Sequence, residues 1–375
     1  MHIVVNTRML IEGKLDGIGW FSHEVLSRVT QEMPDVKFTF LFDRKFDKQF
    51  IYGDNVEGRV LFPQTRHPLL YRAYFGYSVP AILDKVKPDL FFSPDGFLSL
   101  RTEVKQVSVI HDINFEHRPL DLPKAYRKYY RTYFPQFAKK SDQIITVSEY
   151  SANDIASKYE IDRKKIHVAY NGANEAFKPL NEKIKEKTRK EFSKGEEYYV
   201  FVGNFSSRKN VHGIIKAFDQ YRMIGGKKKL LLVGNPLWRY AEMNDALEAS
   251  PNQEEIIFTG SLSLDKLTKV VGSAFALVFP SYFEGFGIPI VEAFRCGVPV
   301  ITSNKTALPE VAGDAALISE PDDFEKISSY FFLLESDGNQ RLKLIQKGFS
   351  RAESFLWANT ANKVKSVLFS SLNIA

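Results

Sequence analysis

The sequence predicts an α/β protein of two domains, each built around a parallel sheet. Short apolar runs alternate with amphipathic stretches at helical spacing along most of the chain, the pattern of strand–helix units whose sheet is covered on both faces. The alternation lapses over residues 177–197, which are dense in lysine and glutamate, and restarts at Tyr198. At 375 residues the chain is also long for one core and typical of two.

Residues 2–7, HIVVNT, read as the first strand, and residues 8–19 as a polar loop before an amphipathic helix over residues 20–32. Gly17 and Gly19 in that loop make a G-x-G that lacks the third glycine of the dinucleotide fingerprint, and Asp16-Gly17 is also an ordinary turn. Their position between first strand and first helix suits backbone amides that approach a pyrophosphate. Further strands fall at residues 36–42, 89–93 and 106–111, separated by helical or irregular segments, and the last runs into His111-Asp112. A histidine at the carboxyl end of a parallel strand points into the ligand crevice, where it can donate to a hydroxyl; a hydrogen bond to its own loop is the alternative. Residues 123–137, PKAYRKYYRTYFPQF, put Lys124, Arg127, Lys128 and Arg131 on one helical face and Tyr126, Tyr130, Tyr133, Phe134 and Phe137 on the other. Such a helix lies on an anionic membrane surface, or is a surface helix with its aromatics in the core. Pro135 kinks or ends it. A buried strand at residues 143–148, a helix to Tyr159 and a strand at residues 166–170 close the first domain at Asn171-Gly172.

The second domain opens with a strand at residues 198–202, followed by Gly203 and a turn through Arg208, Lys209 and Asn210 into a helix that ends near Tyr221. A basic pair after a glycine turn at a strand end suits a diphosphate, one side chain offering a planar fork and the other a compact charge. Alone, such a pair is solvated surface. Strands at residues 230–234 and 256–260 precede a turn at residues 261–267. Residues 275–279 are a buried strand ended by Pro280; Gly285 and Gly287 make a tight loop; Pro289 suits a first helical turn, and Gly297 ends the helix before a strand at residues 298–302. This β–loop–α–β unit carries Glu284 in its loop and Glu292 on its helix, eight positions on, so both can face the crevice at the strand ends. For the bare pair the alternative is a helix-dipole cap and a solvated helix residue.

Composition sets limits. Hydrophobic content of 44% and charged content of 26% describe a globular chain. The one cysteine, Cys296, excludes an internal disulfide framework, suits a reducing compartment and reads as a small buried residue. No apolar run approaches the roughly 18–20 residues of a membrane helix, and the N-terminal MHIVVNTRML reads as a strand and not a signal peptide. A net charge of +6 fits phosphate-bearing ligands or an anionic membrane surface, and fits nucleic acid without requiring it.

The stretch PSYFEGFGIPIVEAFRCGVPVITS closely resembles the donor-binding segment of the retaining glycosyltransferases of family 4. DGIGWFSHEVL, the His111-Asp112 pair, IITVSEYSANDIASKY and KIHVAYNGAN extend the resemblance over essentially the whole chain; it is weakest at residues 46–87, where acceptor contacts should lie. The resemblance implies the GT-B fold: two Rossmann-like α/β/α domains with parallel sheets facing a central cleft. Residues 1–178 would be the acceptor domain, residues 179–355 the donor domain, and residues 356–375 a helix crossing back to the first. It implies transfer of a hexose, with retention, from a nucleotide diphosphate sugar to a glycan or lipid-linked acceptor in polysaccharide biosynthesis. Carried over residue by residue, Glu292 holds the ribose hydroxyls, and Arg208 and Lys209, after Gly203, hold the diphosphate. Glu284 and the backbone of Phe286, Gly287 and Ile288 hold the donor sugar. Ser261 and Leu262 lie against the base, residues 306–308 lie by the donor site, Gly17 and Gly19 approach the diphosphate, and His111 stands beside the transferring sugar. The implied route is front-face, the leaving phosphate oxygen taking the acceptor's proton. No D-x-D occurs, so no metal and no cofactor beyond the donor are expected. The nearest branch is rich in mannosyltransferases of bacterial surface polysaccharides, which favours GDP-mannose over a UDP-sugar. A cytoplasmic protein touching the inner membrane face, with no nucleic-acid partner, completes the expectation. A 2-epimerase of the same fold is the rival enzyme, but such proteins carry a different set of carboxylates and histidines. A non-catalytic nucleotide-sugar-binding protein is the rival outside catalysis, and no lost motif suggests it.

Overall fold

The computed structural model describes residues 1–236 and 241–372 and divides into two compact units, one of residues Met1–Asn171 with Trp357–Ala375, the other of Gly172–Leu356. Residues 373–375, the end of the predicted C-terminal segment, lie outside the described residues.

The first unit is a seven-stranded, wholly parallel sheet of β1 (His2–Asn6), β2 (Lys37–Phe42), β3 (Val56–Val60), β4 (Leu90–Ser93), β5 (Gln106–Val109), β6 (Gln143–Thr146) and β7 (Ile166–Val168). Its order is β3-β2-β1-β4-β5-β6-β7, so the winding reverses between β1 and β4. The central strands are buried along almost their whole length, because helices cover both faces, and the polar residues among them are hydrogen-bonded: Gln106 Nε2 donates to Ser99 O at 2.8 Å, and the Ser108 and Ser141 hydroxyls meet at 2.7 Å. The edge strand β3, VEGRV, is not in the sequence reading. It is half exposed, carries two charges and Gly58, and so has no apolar run to betray it. The first helix begins at Gly17, three residues before the predicted start, because the Asp16 side chain caps it by accepting from Gly19 N at 2.9 Å. Gly17 and Gly19 therefore lie in a helical turn and not in a loop.

The helix Lys124–Lys140 turns Tyr129, Phe134, Phe137 and Ala138 into the core of this unit, where Tyr126, Tyr130 and Tyr133 pack against it. Pro135 does not end the helix, which continues to Lys140. Apolar burial on both sides of the proline offsets the one lost backbone bond. The helix Trp357–Ser371 belongs to this unit: Trp357 meets the edge of Phe21 at 6.2 Å, and Lys105 Nζ donates to Ser371 O at 2.9 Å.

The second unit is a six-stranded parallel sheet of β8 (Tyr198–Val202), β9 (Lys229–Val233), β10 (Ile256–Gly260), β11 (Ala276–Phe279), β12 (Val300–Ser303) and β13 (Ala316–Ser319), in the order β10-β9-β8-β11-β12-β13. The winding reverses between β8 and β11. The edge strand β13 is also absent from the sequence reading, being four residues long between two helices. Helix Ile288–Arg295 buries Ile290, Val291, Ala293 and Phe294, with Pro289 in its first turn. Among the described residues no helix is long and apolar enough to cross a membrane.

Candidate active site

In an open parallel sheet the ligand crevice lies at the carboxyl ends of the two strands where winding reverses. In the second unit those are β8 and β11, and the loops that leave them are the two that the sequence marks. Gly203 follows β8 with φ +151, a conformation that favours glycine, and its N–H donates to Val233 O at 3.0 Å. Asn210 ends the loop in the left-handed conformation, φ 57, and is wholly buried. Its Oδ1 accepts from Gly213 N at 3.2 Å as the cap of helix Val211–Met223, while Nδ2 donates to Pro280 O at 3.2 Å and Pro321 O at 2.7 Å. One amide thus fixes the β8 loop to the residue that ends β11.

On this frame Arg208, Lys209 and Glu284 converge. Arg208 Nη1 lies 3.0 Å from Glu284 Oε2 and donates to Phe283 O at 2.8 Å; Tyr282 N donates to Arg208 O at 2.8 Å. Lys209 Nζ lies 2.5 Å from Glu284 Oε1 and stands 4.7 Å from the centre of the Phe279 ring. Burial alone would push the Glu284 carboxyl up, but Arg208 and Lys209 outweigh it and hold the group below the ordinary glutamate range. Glu284 is an ion-paired group and not a dipole cap. Its backbone is held from β12: Glu284 N donates to Thr306 Oγ1 at 3.0 Å. Thr306 does this with φ 54, a left-handed conformation costly for a β-branched residue.

Glu292 has the opposite environment. Half-buried on helix Ile288–Arg295, its carboxyl has no hydrogen-bond or ion-pair partner among the described residues, its backbone carbonyl alone accepting from Cys296 N at 3.2 Å. Burial pushes its carboxyl up to about 8, so in the free protein it is mostly neutral at pH 7. An unpartnered acceptor of this kind is suited to a ligand that brings its own hydroxyls. Phe286 is buried edge-on against Phe355 at 5.4 Å, so its side chain is core and only its backbone can serve a ligand. Gly287 sits at φ +106 with Leu308 Cδ2 2.9 Å from where a Cβ would stand, so a side chain there would be strained and would have to displace the leucine tip. Ile288 opens the helix. Ser261 is exposed beyond β10 and accepts from Asn235 Nδ2 at 2.8 Å.

The first unit holds the remaining candidates. His111 follows β5, and its Nε2 lies 2.9 Å from Pro94 O. A carbonyl only accepts, so Nε2 carries the proton; burial keeps the ring neutral by lowering its pKa. Nδ1 is then an acceptor, which reverses the expectation that His111 donates to a hydroxyl. The ring is held edge-on by Phe21 at 4.9 Å. Gly19 N is taken by Asp16, and a Cβ on Gly19 would meet Met9 O at 3.0 Å, so this glycine serves close packing; at Gly17 the space is open.

Sequence reasoning missed a buried network where the first sheet reverses. Arg8, after β1, pairs with Asp95, after β4, through Nε to Oδ2 at 2.5 Å, and Asn6 Nδ2 donates to Asp95 Oδ1 at 2.7 Å. The guanidinium is enclosed by Phe97, Tyr71 and Phe75 at 4.2, 5.1 and 5.7 Å. The one available signal was an arginine directly after the first strand. Among the described residues no group of three or more histidine, cysteine, aspartate or glutamate side chains is placed to hold a metal ion.

Comparison with known proteins agrees with this arrangement. The sequence model of the glycosyl transferases group 1 matches residues 182–351, and that of glycosyltransferase family 4 matches residues 31–177. The chain is 28% identical over 363 residues to the O-antigen chain mannosyltransferase B of Escherichia coli, covering 93% of this chain and 94% of that one. Among solved structures it superposes on Anabaena HepE in complex with UDP-glucose with a TM-score of 0.79 at 15% identity, covering 99% and 100% of the two chains. It superposes on WaaG, a glycosyltransferase of lipopolysaccharide biosynthesis, with a TM-score of 0.75 at 14% identity, covering 98% and 99%. Its two parallel-sheet units are those of the GT-B fold, and the chain belongs to glycosyltransferase family 4, the glycosyl transferases group 1.

Proposed function

We propose that this hexosyltransferase moves mannose, with retention and without a metal, from GDP-mannose to a glycan or lipid-linked acceptor of a surface polysaccharide. The observation that carries the reading is the convergence of Arg208, Lys209 and Glu284 where the second sheet reverses. The chemistry needs charge stabilised on a departing diphosphate, and fixed cations supply that without reorganisation when the bond breaks. The bond from the anomeric carbon to the phosphate oxygen breaks, the acceptor oxygen bonds to that carbon on the same face, and the acceptor proton passes to the departing phosphate oxygen. Glu284 is ionised and engaged by two cations, which suits orienting the pair and the sugar hydroxyls better than forming a covalent intermediate. Glu292 takes the ribose hydroxyls, and His111 accepts from a sugar hydroxyl through Nδ1.

The mannose assignment draws support from the relative named as a mannosyltransferase; GDP as its carrier is the expectation carried by the sequence resemblance. Peripheral contact with the inner face of the membrane is part of the same reading. With the aromatic side of helix Lys124–Lys140 in the core, that contact is electrostatic and sensitive to salt. The test is a panel of nucleotide sugars incubated in excess EDTA, with nucleotide release followed by chromatography. GDP release from GDP-mannose above the other donors supports the assignment. Release only from a UDP-sugar would replace the donor and leave the site intact.

A further inference from the structure

A hollow of about 670 Å³ opens on the first unit between helix Lys124–Lys140 and the end of helix Glu149–Tyr159, within the size range of small-ligand sites. Lys124, Arg127, Lys128, Arg131 and Lys139 line it from one helix and Lys158 from the other. Of these six cations only Arg131 has a carboxylate within ion-pair distance among the described residues, Glu116 at 3.0 Å, and Glu160 is the one other acid in the lining. The chain does not treat its basic helices alike. On helix Glu182–Ser193, Lys185 and Arg189 are paired with Glu182, and Arg189 also with Glu197. Helix Lys124–Lys140 contains no acid at all. Its cations recur at helical spacing, so Lys124 to Lys139 spans about 22 Å at ~1.5 Å per residue. Like charges held this close repel one another, and a bound polyanion removes the penalty.

The lining narrows the ligand class. The hollow offers no open stacking surface for bases: Tyr126, Tyr130 and Phe134 pack on the core, and Tyr159, the one aromatic in the lining, is buried with its hydroxyl donating to Glu116. Pro135 is the only aliphatic residue in its lining, too little for insertion into a bilayer. Concave cations from two helices, with an arginine fork among lysines, match a compact group of several negative oxygens. We propose that this hollow binds a diphosphate group, remote in sequence from the Arg208–Lys209 pair and separate from it in function. The source would be free diphosphate or the diphosphate of a polyprenyl lipid; the lipid source rests on the proposed acceptor class, whereas binding of the free group does not.

The full chain is titrated with sodium pyrophosphate at fixed ionic strength by calorimetry, with sodium sulfate as control, in three forms: wild type, R208A, and K128E/K158E. The two reversed positions are exposed and lie outside the transfer site, and thermal melting of the variant checks its fold. The expected result is saturable pyrophosphate binding at least tenfold tighter than sulfate, kept in R208A and weakened tenfold or more in K128E/K158E. A second arm uses vesicles of phosphatidylcholine alone, with phosphatidylglycerol, and with polyprenyl diphosphate at matched charge. Preference for the polyprenyl diphosphate vesicles assigns the lipid source; pyrophosphate binding without vesicle preference assigns the free group. Pyrophosphate binding no tighter than sulfate, or unchanged in K128E/K158E, overturns the site. Loss in R208A alone would place the pyrophosphate at the transfer centre and overturn it too.

Discussion

Glu284 and Glu292 stand eight positions apart, and their surroundings drive their ionisation in opposite directions. Glu284 is held charged by two cations, so it is a fixed negative charge through the neutral range. Glu292 is held neutral by burial, and its proposed role with ribose has a measurable consequence. Hydroxyls that donate to a carboxylate favour its ionised form, so donor binding must lower its pKa from about 8 and release a proton at pH 7. Calorimetry in buffers of different ionisation enthalpy should show that release in the wild type and lose it in Glu292→Gln. Donor affinity should rise with pH up to about 8 and then level off. The same carboxyl binds a proton more tightly in the folded chain than in the unfolded one, so stability falls as pH climbs from about 4.5 to about 8. Glu292→Gln removes that fall, and the variant should gain about 3–4 kcal/mol over the wild type at pH 8 relative to pH 5. Equal pH dependence in both proteins would remove Glu292 from the account.

Asn210 does for the second sheet what no backbone bond can, because it joins a strand-end loop, a helix start and two proline carbonyls. Asn210→Ala loses a helix cap, leaves Pro280 O and Pro321 O without that donor, and keeps a non-glycine residue at positive φ. The expected cost is about 2–4 kcal/mol, read as a lower denaturant midpoint; a change under about 0.5 kcal/mol would mean the loop is held elsewhere. Elements of this kind separate what the sequence discloses from what it hides. Buried central strands such as β8 and β11 are apolar throughout and are followed by glycine or proline, and β1 has the apolar run Ile3-Val4-Val5 at its centre, so they are legible. The edge strands β3 and β13 are short or half-solvated and carry no such pattern. Local propensity reads Pro135 as a kink or an end of its helix, and packing of Phe134 and Phe137 overrides the end. At the site, the residue types at Arg208, Lys209, Glu284 and Glu292 were legible from their motif. The ion pairs were not, since they depend on loops brought together by sheet order. Arg8 and Asp95, 87 positions apart, were beyond reach for the same reason.

Across the whole chain, cations are set where phosphate chemistry is proposed: at Arg208 and Lys209 for the leaving group, and in the hollow beside helix Lys124–Lys140 for a second anion. If protein cations stabilise the leaving group, turnover should persist in excess EDTA within about twofold of the untreated rate; loss restored only by a divalent cation would assign that task to a metal. The most direct measurement compares turnover with donor binding in Arg208→Ala. Charge on the departing diphosphate grows towards the transition state, so the account predicts a fall in kcat of about 100-fold or more against a change in donor Kd of less than about tenfold. Lys209 still neutralises Glu284 in this variant, so the stability loss should stay near 1–2 kcal/mol. A folded Arg208→Ala protein with normal kcat would contradict the claim that this pair drives departure of the diphosphate.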